Sequence, residues 1–198
     1  MCLVRGDKMS SLKILVIATS LRKDSISKKI ARIACKNLQE EGCIVSFVDL
    51  ADYPMPVYNQ DIIDQDVPQA SVKLKALIQE HNILVIATPE HNFSMAASTK
   101  NMIDWVSRTT DNKNSDFQML ANKLVGLISA SPSNYGGYRA LRHLGDILRE
   151  AGCVVSPGFL CIANSFLALD EDGNFVADEN NKQTKRMLAK LIELGNKL

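Results

Sequence analysis

Three polar segments of this 198-residue chain follow short aliphatic runs, and each carries groups able to hold a ligand. The first is Thr19-Ser20-Leu21-Arg22-Lys23-Asp24-Ser25-Ile26-Ser27, which leads from the run Leu12–Ala18 into an amphipathic stretch. The first turn of a helix leaves backbone N–H groups unpaired, and the helix dipole places about half a positive charge beside them. Hydroxyls from Ser20, Ser25 and Ser27 can donate, and Arg22 can form a charge-assisted fork. Together these groups suit a phosphate-like anion. Simple N-capping by Ser25 or Ser27 is the plainer alternative. The segment lacks the G-K-[ST] ending of a nucleotide-binding P-loop and is not the G-x-G-x-x-G of a dinucleotide site.

The second segment is Thr88-Pro89-Glu90-His91-Asn92-Phe93-Ser94. Pro89 fixes one φ and lacks an N–H, while Asn92 and Ser94 are turn or cap residues. A flat heterocycle with carbonyl and N–H edges can lie along such a wall and be read by backbone amides. The third, Ser129-Ala130-Ser131-Pro132-Ser133-Asn134-Tyr135-Gly136-Gly137-Tyr138-Arg139, brings Ser131 and two glycines that permit close backbone approach or positive φ. A tight turn and an ordinary loop before a helix are the plain readings of these two. The histidines His81, His91 and His143 fall in separate predicted elements, so no metal site is expected.

The elements that must position these loops follow from periodicity. Leu12–Ala18, Ile83–Thr88 and Leu124–Ala130 are near-continuous apolar runs, with weaker ones at Ile44–Leu50 and Phe159–Ala163. Strands apolar on both faces belong in a parallel sheet covered on both sides. Between them, apolar residues recur at helical spacing: Ile26, Ile30 and Ile33; Leu74, Leu77 and Ile78; Met95, Met102, Ile103 and Val106; Leu141, Leu144 and Leu148; Met187, Leu188 and Leu191. The alternation predicts an α/β fold, a flavodoxin-like three-layer αβα sandwich around a five-stranded parallel sheet of order 2-1-3-4-5. Ligands in such sheets bind beyond the carboxyl ends of the strands, beside strands 1 and 3. All three polar segments fall there.

Composition removes other classes. With 23 Lys+Arg against 22 Asp+Glu, no strong field points to nucleic acid or to an anionic membrane. No apolar run approaches the roughly 20 residues of a membrane span. Residues 1–11 are charged, unlike a secretory signal, and are expected to be a disordered extension of one domain spanning residues 12–198. Five cysteines without a C-x-x-C pair suit a reduced, cytoplasmic protein, with Cys35, Cys43 and Cys161 as small buried filler.

Taken together, the loops resemble those of the NADPH-dependent FMN reductase family, which includes chromate- and quinone-reducing members. Its first motif reads approximately G-S-L-R-x-x-S-x-N. Ser20, Leu21, Arg22 and Ser25 match, while Thr19 replaces Gly and Ser27 replaces Asn. Its second, P-E-Y-N-x-S running on to K-N-x-I-D-W, is matched by Pro89, Glu90, Asn92, Ser94, Lys100, Asn101, Ile103, Asp104 and Trp105, with His91 for Tyr and Ala96 for a Pro. A Gly-Gly-x-Arg-Ala turn is present as Gly136, Gly137, Arg139 and Ala140.

The resemblance implies that Ser20, Arg22, Ser25 and Ser27 hold the phosphate of FMN. It implies that Pro89, Glu90, His91 and Asn92 line the isoalloxazine ring, and that the turn of Ser131, Gly136 and Gly137 approaches it from another side. No dedicated acid or base is implied: hydride passes from NADPH or NADH to FMN, then to a quinone, flavin, azo or metal-oxyanion acceptor. The loop Tyr53–Asp61 resembles one that meets a second subunit, which implies a homodimer or homotetramer. Thr19 is expected to crowd the loop backbone, Ser27 is shorter than Asn but still able to donate, and His91 puts an imidazole where the motif has a phenol. A flavodoxin-like electron carrier, or a relative that lost its flavin and serves as a binding module, remain open.

Overall fold

The aliphatic runs form the strands of one sheet, and their alternate residues divide between its two faces. The computed structural model describes residues 12–63, 67–108 and 117–198; the expected N-terminal extension lies outside them. In chain order the elements are β1 (Lys13–Ala18), α1 (Ile26–Glu40), β2 (Ile44–Asp49), the short α2 (Gln60–Ile63), α3 (Gln69–Glu80), β3 (Ile83–His91), β4 (Ser94–Met95), α4 (Ala97–Val106), β5 (Leu124–Ala130), α5 (Tyr138–Glu150), β6 (Val154–Val155), β7 (Leu160–Ile162) and α6 (Asp178–Gly195). Leu15, Ile17, Leu84, Ile86, Val125 and Leu127 face the layer of α3, α4 and α5. Ile14, Val16, Val85, Ala87 and Ile128 face that of α1 and α6. Both faces are buried, which is why these strands read as unbroken apolar runs.

The parallel path is β2-β1-β3-β5-β6, with β4 antiparallel to β3 and β7 parallel to β5. This is the expected order with two refinements. The fifth strand is split: β6 pairs with Leu124 and Val125, and β7 with Ile128–Ala130, the break falling at Ser156-Pro157-Gly158-Phe159. β3 continues three residues beyond the expected Thr88 and turns back through Asn92-Phe93 as a two-residue hairpin. Both turn residues have positive φ, 47° and 67°, as a type I′ turn requires.

The cysteines differ slightly from expectation. Cys35, Cys43 and Cys161 are half-buried and Cys153 is the buried one; Cys2 lies outside the described residues. Burial pushes the Cys35 and Cys153 thiols up to about 12 and that of Cys161 to about 11, with the Glu90 charge adding to the last. These thiols stay protonated at neutral pH and behave as small apolar side chains.

The segment after β2 is anchored by the helix α4 motif. Asn101 and Trp105, four residues apart and so on one face, both donate to the Pro56 carbonyl, at 2.9 and 2.8 Å. Asn101 also accepts from the Tyr58 N–H at 2.8 Å, and the Tyr58 ring stands edge-on to the fully buried Trp105. We predict that Asn101→Ala and Trp105→Phe each cost about 1–3 kcal/mol through unpaired polar groups and lost packing. In a double-mutant cycle by urea denaturation they should be non-additive, because they share one acceptor. Additive losses would show that the two contacts are independent.

Candidate active site

β1 and β3 are hydrogen-bonded neighbours, yet α1 leaves β1 toward one face and α4 leaves β3 toward the other. The divergence opens a cleft of about 260 Å³ lined by Ser20, Arg22, Ser25, Ile26, Ser27, Pro89, Glu90, His91, Ala130, Pro132, Ser165 and Phe166. A larger hollow of about 530 Å³ lies at the opposite end of the sheet, around Leu12, Ile83 and Leu124, away from the convergent hydroxyls.

One wall is the start of α1. Ser25 is its N-cap residue by backbone, but its side chain makes no capping bond, and the first turn holds no acidic residue. The amides of that turn are thus left for something other than the expected capping serine. Ser20, Ser25 and Ser27 are nearly buried around them, and the Arg22 guanidinium donates to the Asp24 carbonyl at 3.1 Å. A positive helix end, three hydroxyls and a guanidinium suit a phosphate.

The opposite wall is the outgoing end of β3. Glu90 does not present its carboxylate freely. Its side chain, only 5% exposed, is paired with Arg139, which donates from both Nε and a terminal nitrogen to one carboxylate oxygen. The other oxygen accepts from the Ala140 N–H at 3.4 Å, in the first turn of α5. The same guanidinium lies 4.7 Å from the Phe93 ring and 5.2 Å from that of Tyr135. Ser94 Oγ meets His143 Nδ1 at 3.0 Å. The hairpin is therefore held against α5, which leaves Pro89 and His91 as its surface toward the cleft.

Four of the expected residues do not line the cleft. Asn92 occupies the hairpin turn. Ser131 is spent internally: its N–H donates to Ile162, its carbonyl accepts from Ser165, and its hydroxyl bonds Ser133. The two glycines are required by packing. A Cβ on Gly136 would come within 2.9 Å of the backbone between Cys161 and Ala163, and one on Gly137 would overlap the Ser129 side chain. What they make room for is the protein's own sheet edge. Thr19 is likewise turned inward; its hydroxyl bonds the Ala87 carbonyl and Thr99, so its Cβ does not narrow the cleft.

Sequence reasoning missed Ile26, Ala130, Pro132, Ser165 and Phe166. Ser165 and Phe166 follow β7 at the carboxyl edge of the sheet, so the same edge rule applies to them, but the broken fifth strand hides the signal. Glu90→Gln, which keeps shape but removes the charge facing Arg139, is expected to cost about 1–3 kcal/mol in urea denaturation. An unchanged midpoint would mean that the pair contributes nothing to holding the hairpin.

The comparisons with known proteins agree with this geometry. Residues 12–166 match the family described as NADPH-dependent FMN reductase. The chain is 30% identical to a 2-hydroxy-1,4-benzoquinone reductase of a Burkholderia species, over 91% of this chain and 94% of that protein. It is 32% identical to an NAD(P)H-dependent FMN reductase of Pseudomonas aeruginosa, over 91% and 93%. Among solved structures, the flavoenzyme NAD(P)H:(acceptor) oxidoreductase of Paracoccus denitrificans superposes with a TM-score of 0.78 at 25% identity, covering 94% of this chain and 98% of that one. A continuous match over three quarters of the length, with its loops gathered at one switch-point cleft, places the chain in the NADPH-dependent FMN reductase family.

Proposed function

We propose that this chain is an NAD(P)H-dependent flavoenzyme that holds FMN in the cleft between α1 and the end of β3 and reduces small flat acceptors such as quinones, free flavins or azo compounds. The observation that carries the reading is the uncapped start of α1, where Ser20, Arg22, Ser25 and Ser27 converge on one cleft with Pro89 and His91. The names of the relatives, quinone and FMN reductases, support the acceptor class.

In this reading the four α1-side residues hold the phosphate, and Pro89, Glu90 and His91 form the wall for the ring. When bound, FMN would supply the two-electron redox chemistry between the nicotinamide and the acceptor. The protein's part is orientation and exclusion of water, so no proton-transferring residue is assigned. Glu90 acts by holding the wall through Arg139. Phe166 and Pro132 close the cleft from the β5 and β7 side. Assembly as a homodimer or homotetramer, through the segment Tyr53–Asp61, belongs to the same proposal. It is supported by the exposed Val57 and by the neighbouring apolar hollow of Leu21, Leu50, Tyr53 and Met55.

The decisive measurement is an anaerobic titration of the FMN-loaded protein. NADPH or NADH should bleach the flavin absorbance stoichiometrically, and a quinone should restore it. A protein that FMN does not stabilise thermally would refute the reading. A bound flavin that neither nucleotide reduces would mark a carrier instead. A second test separates the two ends of the ligand. Arg22→Ala should raise the Kd for FMN about tenfold, the loss of one charge-assisted contact, and leave that for riboflavin, which has no phosphate, unchanged. Equal weakening of both would place Arg22 away from the phosphate.

A further inference from the structure

Thr19, Thr88 and Thr99 are each fully buried and lie at the joint between the two walls of the cleft. Their hydroxyls form a chain. Thr19 Oγ1 is 3.1 Å from the Ala87 carbonyl and 2.7 Å from Thr99 Oγ1, which is 2.8 Å from Thr88 Oγ1; the Ala96 N–H points to Thr88 Oγ1 at 3.3 Å. A carbonyl only accepts, so Thr19 must donate to Ala87. Thr99 then donates to Thr19. Thr88 Oγ1 accepts from the Ala96 amide and has one proton for two acceptors, Thr99 Oγ1 at 2.8 Å and the Pro89 carbonyl at 3.1 Å; Thr99 is the shorter contact, and donation to it closes the chain. Beside it, Ser98 Oγ donates to the Thr19 carbonyl at 2.6 Å, and the Thr19 N–H donates to Ala87 at 2.9 Å.

The motif that this loop resembles has glycine where this chain has Thr19, and glycine has no hydroxyl to make this link. We infer that Thr19 is a positioning residue: its hydroxyl couples the α1-side loop, residues 20–27, to the β3–α4 segment, residues 88–96, so that both walls of the cleft are ordered together before any ligand arrives. The inference rests on the FMN reading for its consequence but not for its geometry. Pre-organised walls lose less conformational freedom on binding, so a ligand spanning both should feel the loss of the hydroxyl at both ends.

The test compares Thr19→Val, which keeps the shape and removes the hydroxyl, with Thr19→Ser, which restores it. In the ligand-free protein, Thr19→Val should speed amide hydrogen exchange at least tenfold in residues 19–27 and 88–96, Ala96 included, while Thr19→Ser exchanges like the parent. The Kd for FMN and for riboflavin should both rise about tenfold in the Val variant. This differs from Arg22→Ala, which separates the two ligands. Thr99→Val, which breaks the chain at its middle without touching the loop, should reproduce the effect, and the double variant should add little to either single one. Faster exchange spread evenly over β1, β3 and β5 would mark a general loss of stability and overturn the assignment. Exchange and affinity within twofold of the parent would overturn it as well. If the parent itself binds no flavin, the proposed function fails, while the exchange measurement still decides the coupling.

Discussion

The structure turns on one constraint of parallel pairing. β1 and β3 lie side by side in register from Ile14 opposite Ile83 to Ala18 opposite Ala87, but their following helices must cover opposite faces. Helices that part in this way cannot seal the space above the strand ends. The residues lining the cleft belong to the loops there, to the first turn of α1, to the outgoing end of β3 and to the last residue of β5. Both faces of the strands must be covered by helices, and that same demand leaves one end of the sheet open for a ligand.

The most recognisable motif residues act mainly as supports. Glu90 and Arg139 fasten the hairpin to α5, Asn101 and Trp105 fasten the segment after β2 to α4, and Gly136 and Gly137 let a turn press against β5 and β7. Besides Glu90, the groups facing the cleft are serine hydroxyls, one arginine, the His91 imidazole, two prolines and the apolar Ile26, Ala130 and Phe166, with the amides at the start of α1. Such a division suits a site whose chemistry is carried by a bound cofactor, because what it needs from the protein is placement. The hairpin turn adds to this picture. Phe93 holds positive φ, a conformation that costs a bulky residue on the order of 1–3 kcal/mol, and it is kept there with its ring beneath the Arg139 guanidinium.

Much of this was legible from residue order. The runs at 12–18, 83–88 and 124–130 appear as β1, β3 and β5, because a strand buried on both faces tolerates nothing else. The amphipathic spacings appear as helices for a similar reason. The edges were harder. β3 runs on to His91 because Glu90 finds Arg139 some 49 residues away, a partner no local pattern announces. The fifth strand is divided because Pro157 and Gly158 interrupt a run too short to recover its pairing without a break.

The sequence alone therefore determined the layer order, the edge of the sheet at which the candidate cleft opens and the loops that reach it, since these follow from local periodicity and from the handedness of β-α-β connections. Only the tertiary structure decided which loop residues face the cleft. Ser25 stands at the N-cap without a side-chain capping bond, Ser131 and the two glycines pack beside β5 and β7 outside the cleft lining, and Thr19, expected to crowd the loop, is buried among Thr88 and Thr99. A side chain's direction is set by which distant polar or apolar group can satisfy it. That information lies in contacts dozens of residues apart, beyond the reach of spacing along the chain.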